Sequence, residues 1–290
     1  MSPVGDRLRI TGCLEVAVAA VIWGSNGVYV NLIPLSSYAL AFFRVLFAAV
    51  ALSVGIVLFG RRELFKSEYP LRGLFFLGVL LCLGWGLLFE AMKLLPIAEA
   101  VLLNYTAPIF VALLAAVFLR ESVTGRTIAS LILSFLGIVL IVFSNRGFQG
   151  VNVVGYLIGL SAGLSYAIFI IVSKSALTRV VNYTLVLYSN FFASLILAPS
   201  LFTIHLPLSW NVWLMLAILG VINTALAVPL FYKGLKKIRA QEAAILGYLE
   251  PVSAAFLGFL FLGQTLTRPA ILGGILVIVA GYIVATSNTR

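Results

Sequence analysis

Three kinds of residue in this chain have types and positions suited to chemistry inside a low-dielectric medium: one acid, one base and a set of aromatic and amide side chains. Glu250 lies within a long apolar run, immediately before Pro251. An ionisable group at the centre of such a run costs ~2.5–3.5 kcal/mol or more, so it needs a reason. One reason is a cavity carboxylate that binds a substrate ammonium or a coupling proton. The other is a structural acid hydrogen-bonded within a helix bundle, and the residues alone support both equally. Arg44 sits in a second apolar run. Its planar guanidinium suits bidentate capture of a carboxylate, but an intramembrane ion pair that only orients helices is the favoured reading. Trp23, Trp85, Tyr105, Tyr166 and Tyr248 all fall inside apolar runs, as do Asn26, Asn104, Asn190 and Asn223. Deep Tyr and Trp need partners for O–H and N–H. A wet cavity supplies them, and so does polar contact between helices, which is as good an account of the asparagines. The site expected from these types is Trp23, Asn26, Arg44, Trp85, Asn104, Tyr105, Tyr166, Asn223, Tyr248 and Glu250.

Other polar residues have plainer explanations. Glu99 and Glu242 open apolar runs, where a helix N-terminus favours an acid over any gating role. Glu90 and Lys93 are spaced as an i,i+3 pair. Glu15 is expected to snorkel to the interface. His205, beside Pro207, is expected in a solvated loop. Cys13 and Cys82 stand apart and suggest neither a disulfide framework nor a metal site. No catalytic residue, metal or cofactor is expected.

The elements that carry these groups follow from composition. The chain is 62% hydrophobic and 10% charged, with a mean hydropathy of +1.16. A soluble domain carries about 25% charged residues. Ten apolar runs, near 14–33, 37–59, 71–93, 97–119, 124–144, 153–173, 183–203, 211–232, 241–262 and 268–287, are each long enough for a bilayer core of ~30 Å. Lipid gives the backbone no hydrogen-bond partner, so each must cross as a helix. The first run lacks a cleavage site and is expected to be a retained helix.

Basic residues divide unequally between the two ends of the runs. Arg7, Arg9, Arg61, Arg62, Lys66, Arg72, Arg120, Arg126, Lys174, Arg179, Lys233, Lys236, Lys237, Arg239 and Arg290 fall on one side, against Lys93, Arg146 and Arg268 on the other. Lys/Arg-rich loops stay cytoplasmic. Both termini are therefore predicted inside, which requires an even number of spans. The net charge of +10 thus reports orientation, and no nucleic-acid partner is expected.

A shift of 143 residues lays the chain on itself without a gap. Glu99, Ala100, Tyr105 and Pro108 fall on Glu242, Ala243, Tyr248 and Pro251, and Ser144 and Asn145 fall on Ser287 and Asn288. Trp23 falls on Tyr166, while the second and seventh spans need a slightly different shift. Each copy, 1–145 and 146–290, holds five spans, so the second must enter the membrane inverted. Inverted repeats suit alternating access, because one fold can take two related shapes open to opposite sides. The fold class is an all-α membrane protein of ten transmembrane helices in two inverted five-helix repeats. Spans one, three, four, six, eight and nine are expected around a cavity, with five and ten peripheral.

The chain resembles the drug/metabolite transporter superfamily, in the branch built from two EamA-type repeats. The residues carrying this are Ala20-Val21-Ile22-Trp23-Gly24-Ser25-Asn26, Phe43-Arg44, Tyr105-Thr106-Ala107-Pro108, Tyr248-Leu249-Glu250-Pro251-Val252 and Phe261-Leu262-Gly263-Gln264. Members often have an acid where Gln264 stands, a position read here as loop. The resemblance implies a carrier of small metabolites in an inner or plasma membrane, often an exporter, similar to aromatic amino acid exporters. The expected partners are a small-molecule substrate and the lipid bilayer, with a coupling proton as a candidate and a monomer or weak homodimer as the assembly. Rival readings are an intramembrane enzyme, disfavoured by the lack of a catalytic dyad, a channel, disfavoured by its scattered acids, and a non-transporting scaffold, which leaves the repeat unexplained.

Overall fold

The structure is a computed structural model that describes residues 3–142, 152–203 and 209–286. His205, Ser144, Asn145, Arg146, Ser287, Asn288 and Arg290 lie outside the described residues. Ten helices are long and apolar enough to cross a membrane. They are α1 (Arg7–Leu32), α2 (Ser37–Leu58), α3 (Leu71–Leu94), α4 (Glu99–Phe118), α5 (Gly125–Val142), α6 (Val153–Ala176), α7 (Asn182–Phe202), α8 (Trp210–Leu235), α9 (Ala240–Leu262) and α10 (Arg268–Thr286). With ten spans, the start of α1, the end of α10 and the Lys/Arg-rich loops share one end of the bundle, called here the basic end.

The packing interlocks the two repeats. α1 lies against α8 and α9 of the second repeat, and its counterpart α6 lies against α3 and α4 of the first. Three of the other four counterpart pairs meet each other: α2 with α7, α4 with α9 and α5 with α10. α5 and α10 touch through backbone. A Cβ on Gly137 would sit 2.6 Å from the Gly273 carbonyl oxygen, the close approach that small residues permit where lipid offers no hydrophobic drive. α6 seats itself similarly: Gly155 and Gly159 face Leu95 and Leu103, and Gly163 faces the Leu103 and Asn104 carbonyls.

Helix interruptions occur where the sequence removes a backbone donor. Pro108 cannot bond the Asn104 carbonyl, and Pro251 cannot bond that of Gly247. α4 accordingly breaks between its segments Ile97–Asn104 and Ala107–Phe118, and α9 between Ala240–Gly247 and Leu249–Leu262. α1 breaks at Ser25, whose hydroxyl donates to the Ile22 carbonyl at 2.7 Å. α8 widens to π geometry over Val221–Leu226, just before Pro229.

One interfacial expectation is corrected. Glu15 does not snorkel: it is buried, and Lys237 and Lys233 reach it at 2.7 and 3.0 Å. Lys233 of α8 and Lys237 just past it satisfy the acid where it stands, so α1 continues as helix through it. Glu90 and Lys93 form their i,i+3 pair at 2.6 Å.

Candidate functional site

The four interruptions converge on one central cavity of about 300 Å³. Nine of the ten expected site residues line it: Trp23, Asn26, Arg44, Trp85, Asn104, Tyr105, Tyr166, Tyr248 and Glu250. They come from α1, α2, α3, α4, α6 and α9. α5 and α10 contribute nothing, but α2 and α7 do, through Arg44, Ser189 and Asn190. The wall therefore comprises eight spans rather than the six expected.

Asn223 is the exception, and its expected role as a polar substrate contact is corrected on geometry. It is 1% exposed and does not line the cavity. Its side-chain nitrogen donates at 2.8 Å to both Ser25 Oγ and Asn26 Oδ1, while its backbone carbonyl accepts from Trp23 Nε1 at 2.8 Å. The widened turn of α8 is what brings Asn223 against the break in α1. Asn26 in turn donates to the Glu250 carboxylate. Asn223 thus fixes the amide that fixes the acid.

Arg44 enters the cavity from α2 with Nε bonded to Thr224 Oγ1 at 2.8 Å, and its guanidinium lies over the Trp85 ring at 5.6 Å. A guanidinium on an aromatic face gains a cation–π attraction, larger where water is excluded. Its two terminal nitrogens are left for a further partner. Glu250 and Arg44 feel each other electrostatically, so the cavity holds one carboxylate and one guanidinium.

The aromatic wall is arranged about the axis that relates the repeats. Tyr105 and Tyr248 occupy matched positions and meet edge to face, centroids 6.1 Å apart, with the Tyr248 hydroxyl donating to the Tyr105 carbonyl. Trp23 packs on Phe231 at 5.2 Å, and Tyr166 stacks with Phe169 at 6.4 Å. Tyr232 closes the floor, its hydroxyl 3.1 Å from Ser173 Oγ. Phe169, Phe231, Tyr232 and Thr224 were not singled out from the sequence as site residues. Phe is common throughout this apolar chain, Thr is a weak polar signal, and Tyr232 stands beside Lys233 at the end of its run, so none of the four stands out locally. Asn190 had been noted as deep, and its Oδ1 is buried without a hydrogen-bond partner.

Such a site can hold a molecule that carries both charges and an apolar part. It offers an acceptor set in Glu250 and Asn190, a planar donor in Arg44, and ring faces between them. Catalysis would ask for a nucleophile beside a base, and the described lining groups make no such pair.

Comparisons with known proteins agree with this architecture. An uncharacterized transporter of Archaeoglobus fulgidus is 29% identical over 277 residues, covering 94% of this chain and 96% of that protein. An uncharacterized inner membrane transporter of Salmonella typhimurium is 27% identical, covering 96% of each. A Rickettsia bellii protein named S-adenosylmethionine uptake transporter is 23% identical, covering 88% and 86%. A solved crystal structure superposes with a TM-score of 0.79 over 94% of this chain and 95% of that one at 19% identity, which is a likeness of fold. The model of the EamA-like transporter family matches twice, over residues 10–143 and 153–286. Those two segments hold the ten spans and every residue of the cavity, and the chain belongs to the EamA-like transporter family.

Proposed function

We propose that this membrane transporter carries a small zwitterionic metabolite of the amino acid class, with an apolar or aromatic side chain, by alternating access. The single observation behind this is that Arg44 and Glu250 share one aromatic-walled cavity of about 300 Å³. That volume is at the small end of ligand sites. A substrate ammonium is attracted by the Glu250 charge and the ring faces, and a substrate carboxylate takes the free fork of Arg44. Sugar phosphates and polyphosphates would need several convergent cations, and the described lining residues supply one. The names of the Rickettsia relatives bring one concrete candidate, S-adenosylmethionine, which carries an ammonium, a carboxylate and an aromatic ring.

The same reading assigns export across the inner (plasma) membrane, with the basic end cytoplasmic in accordance with the positive-inside rule. The name of the Salmonella relative supports that membrane. Glu250 is the group through which a proton would couple, because a proton and the substrate ammonium would compete for the same carboxylate. No catalysis is assigned.

Counterflow in proteoliposomes tests the substrate class. Amino acids with apolar side chains, or S-adenosylmethionine, are expected to exchange, whereas their decarboxylated amines and deaminated acids exchange weakly. Equal exchange of all three sets would sink the zwitterion reading. Efflux from inside-out and right-side-out vesicles, with and without a pH gradient, tests direction and coupling.

A further inference from the structure

The two ends of the bundle are held by unequal chemistry. Two groups of helices flank the cavity: α3 and α4 with α6, and α8 and α9 with α1. Within each group a matched contact forms. Arg9 of α1 binds Glu242 of α9 at 2.9 Å at the basic end, and Tyr156 of α6 donates to Glu99 of α4 at 2.5 Å at the other end. Links between the groups differ. At the basic end, both Glu121 oxygens, just past α4, accept from the Ala240 N–H that opens α9, at 3.0 and 2.8 Å. Lys174 of α6 joins Glu121 at 2.6 Å and the Ile238 carbonyl at 2.5 Å. The Ser122 carbonyl accepts from Arg239 at 3.0 Å and from Gln241 at 2.7 Å. This cluster is largely buried, Lys174 and Glu121 being 18% and 11% exposed.

The 143-residue shift shows what stands at the opposite end. Glu121, Lys174, Arg239 and Gln241 correspond to Gln264, Asn31, Pro96 and Ala98. Proline and alanine have no side-chain donor. Gln264 lies back against Gly258 of its own span, and Asn31 donates to the Gly27 carbonyl one turn earlier. The start of α4 has no side-chain cap, where the start of α9 has two acids on its first N–H groups. The repeat keeps the backbone for a second latch and replaces its charges with neutral or donorless residues.

We propose that Glu121 and Lys174 form an ionic latch that closes the basic end and that, because the matched positions Gln264 and Asn31 are uncharged, biases the resting carrier toward opening away from the basic end. The two groups cannot part at the basic end without breaking these bonds, whereas among the described residues no bond of that kind joins the two groups at the opposite end. Charge-assisted hydrogen bonds are the strong ones, so the bias survives until substrate binding opposes it. The inference rests on alternating access alone and not on the identity of the substrate.

Cysteine accessibility tests it without a substrate. With Cys13 and Cys82 replaced by alanine, single cysteines at the cavity-lining positions Ala244, near the basic end, and Leu88, nearer the opposite end, report access to an impermeant maleimide from each face. In the parent, labelling from the face opposite the basic end should dominate. Glu121→Gln or Lys174→Gln should shift the ratio of labelling between faces by about tenfold toward the basic face. Asn31→Lys with Gln264→Glu, which removes no latch contact, should shift it the same way by closing the opposite end. An unchanged ratio in the Glu121 and Lys174 variants overturns the proposal. Should those variants fail to fold, an unchanged ratio in the Asn31→Lys, Gln264→Glu protein overturns it.

Discussion

The two helix breaks at the cavity share a backbone and differ in what they present. In α4 the residue before Pro108 is Ala107, which is 2% exposed; in α9 the residue before Pro251 is Glu250, which faces the cavity. Both breaks follow a tyrosine, and the two tyrosines touch. The same contrast holds for the span pair α2 and α7, where Arg44 faces an uncharged Asn190. Features common to both repeats are the prolines, the tyrosines and the close helix contacts, which is what a fold needs to take two shapes related by a pseudo-two-fold rotation. The two charges that line the cavity, Arg44 and Glu250, are each present in one repeat alone. The difference teaches that symmetry here serves the motion, and that its violation gives the cavity a polarity a substrate can read.

Removing the charge from the second break is expected to have the largest effect. Glu250→Gln keeps the shape and the contact with Asn26, and should lower transport by about 100-fold at equal protein level, measured as initial counterflow rates in proteoliposomes. Unchanged rates would make Glu250 a structural acid and leave only the aromatic part of the site. Arg44→Lys comes next. A lysine keeps the charge but not the fork or the stack on Trp85, so the KM for carboxylate-bearing substrates should rise about tenfold. A competing amine without a carboxylate should bind with unchanged affinity, which concentration series in the same vesicles would read.

Smaller effects sharpen the contrast from the symmetric side. Trp23 and Tyr166 are repeat counterparts on the cavity wall. Trp23→Ala also strips a bond to the Asn223 carbonyl, so it should weaken apparent affinity more than Tyr166→Ala, for which about 3- to 5-fold is expected from lost ring contact. Equal losses would mean that the α1–α8 junction carries no more than its mate. At the periphery, Gly137→Leu should leave transport per folded molecule unchanged. It should destabilise the α5–α10 contact by about 1–3 kcal/mol through overpacking, seen as a lower unfolding midpoint in detergent. A change in KM there would place α5 in the working part of the carrier.

Much of this molecule was written locally. The spans follow from apolar length, because a bilayer forces any such run into a helix, and the observed ends differ from the expected ones by a few residues. The exception is the first helix, which is already formed at Pro3, well before residue 14, and runs on through the buried Glu15. The inverted repeat and nine of the cavity residues were legible because Tyr, Trp, Asn, Arg and Glu are rare in an apolar background. What neighbours what was not. Apolar helix faces look alike to lipid and to each other, so nothing in α1 or α6 marks each as packing into the other repeat. Nothing local told Asn223 to face α1 while Thr224 beside it holds Arg44, since the groups that each meets lie on other spans far away in the chain. The latch likewise joins residues distant in the chain, Glu121, Lys174 and Ala240, whose meeting depends on which end of the bundle is closed. Sequence by itself determined the elements and their polarity, since each depends on one segment and its solvent; tertiary structure decided pairing and facing, since those depend on segments far apart in the chain.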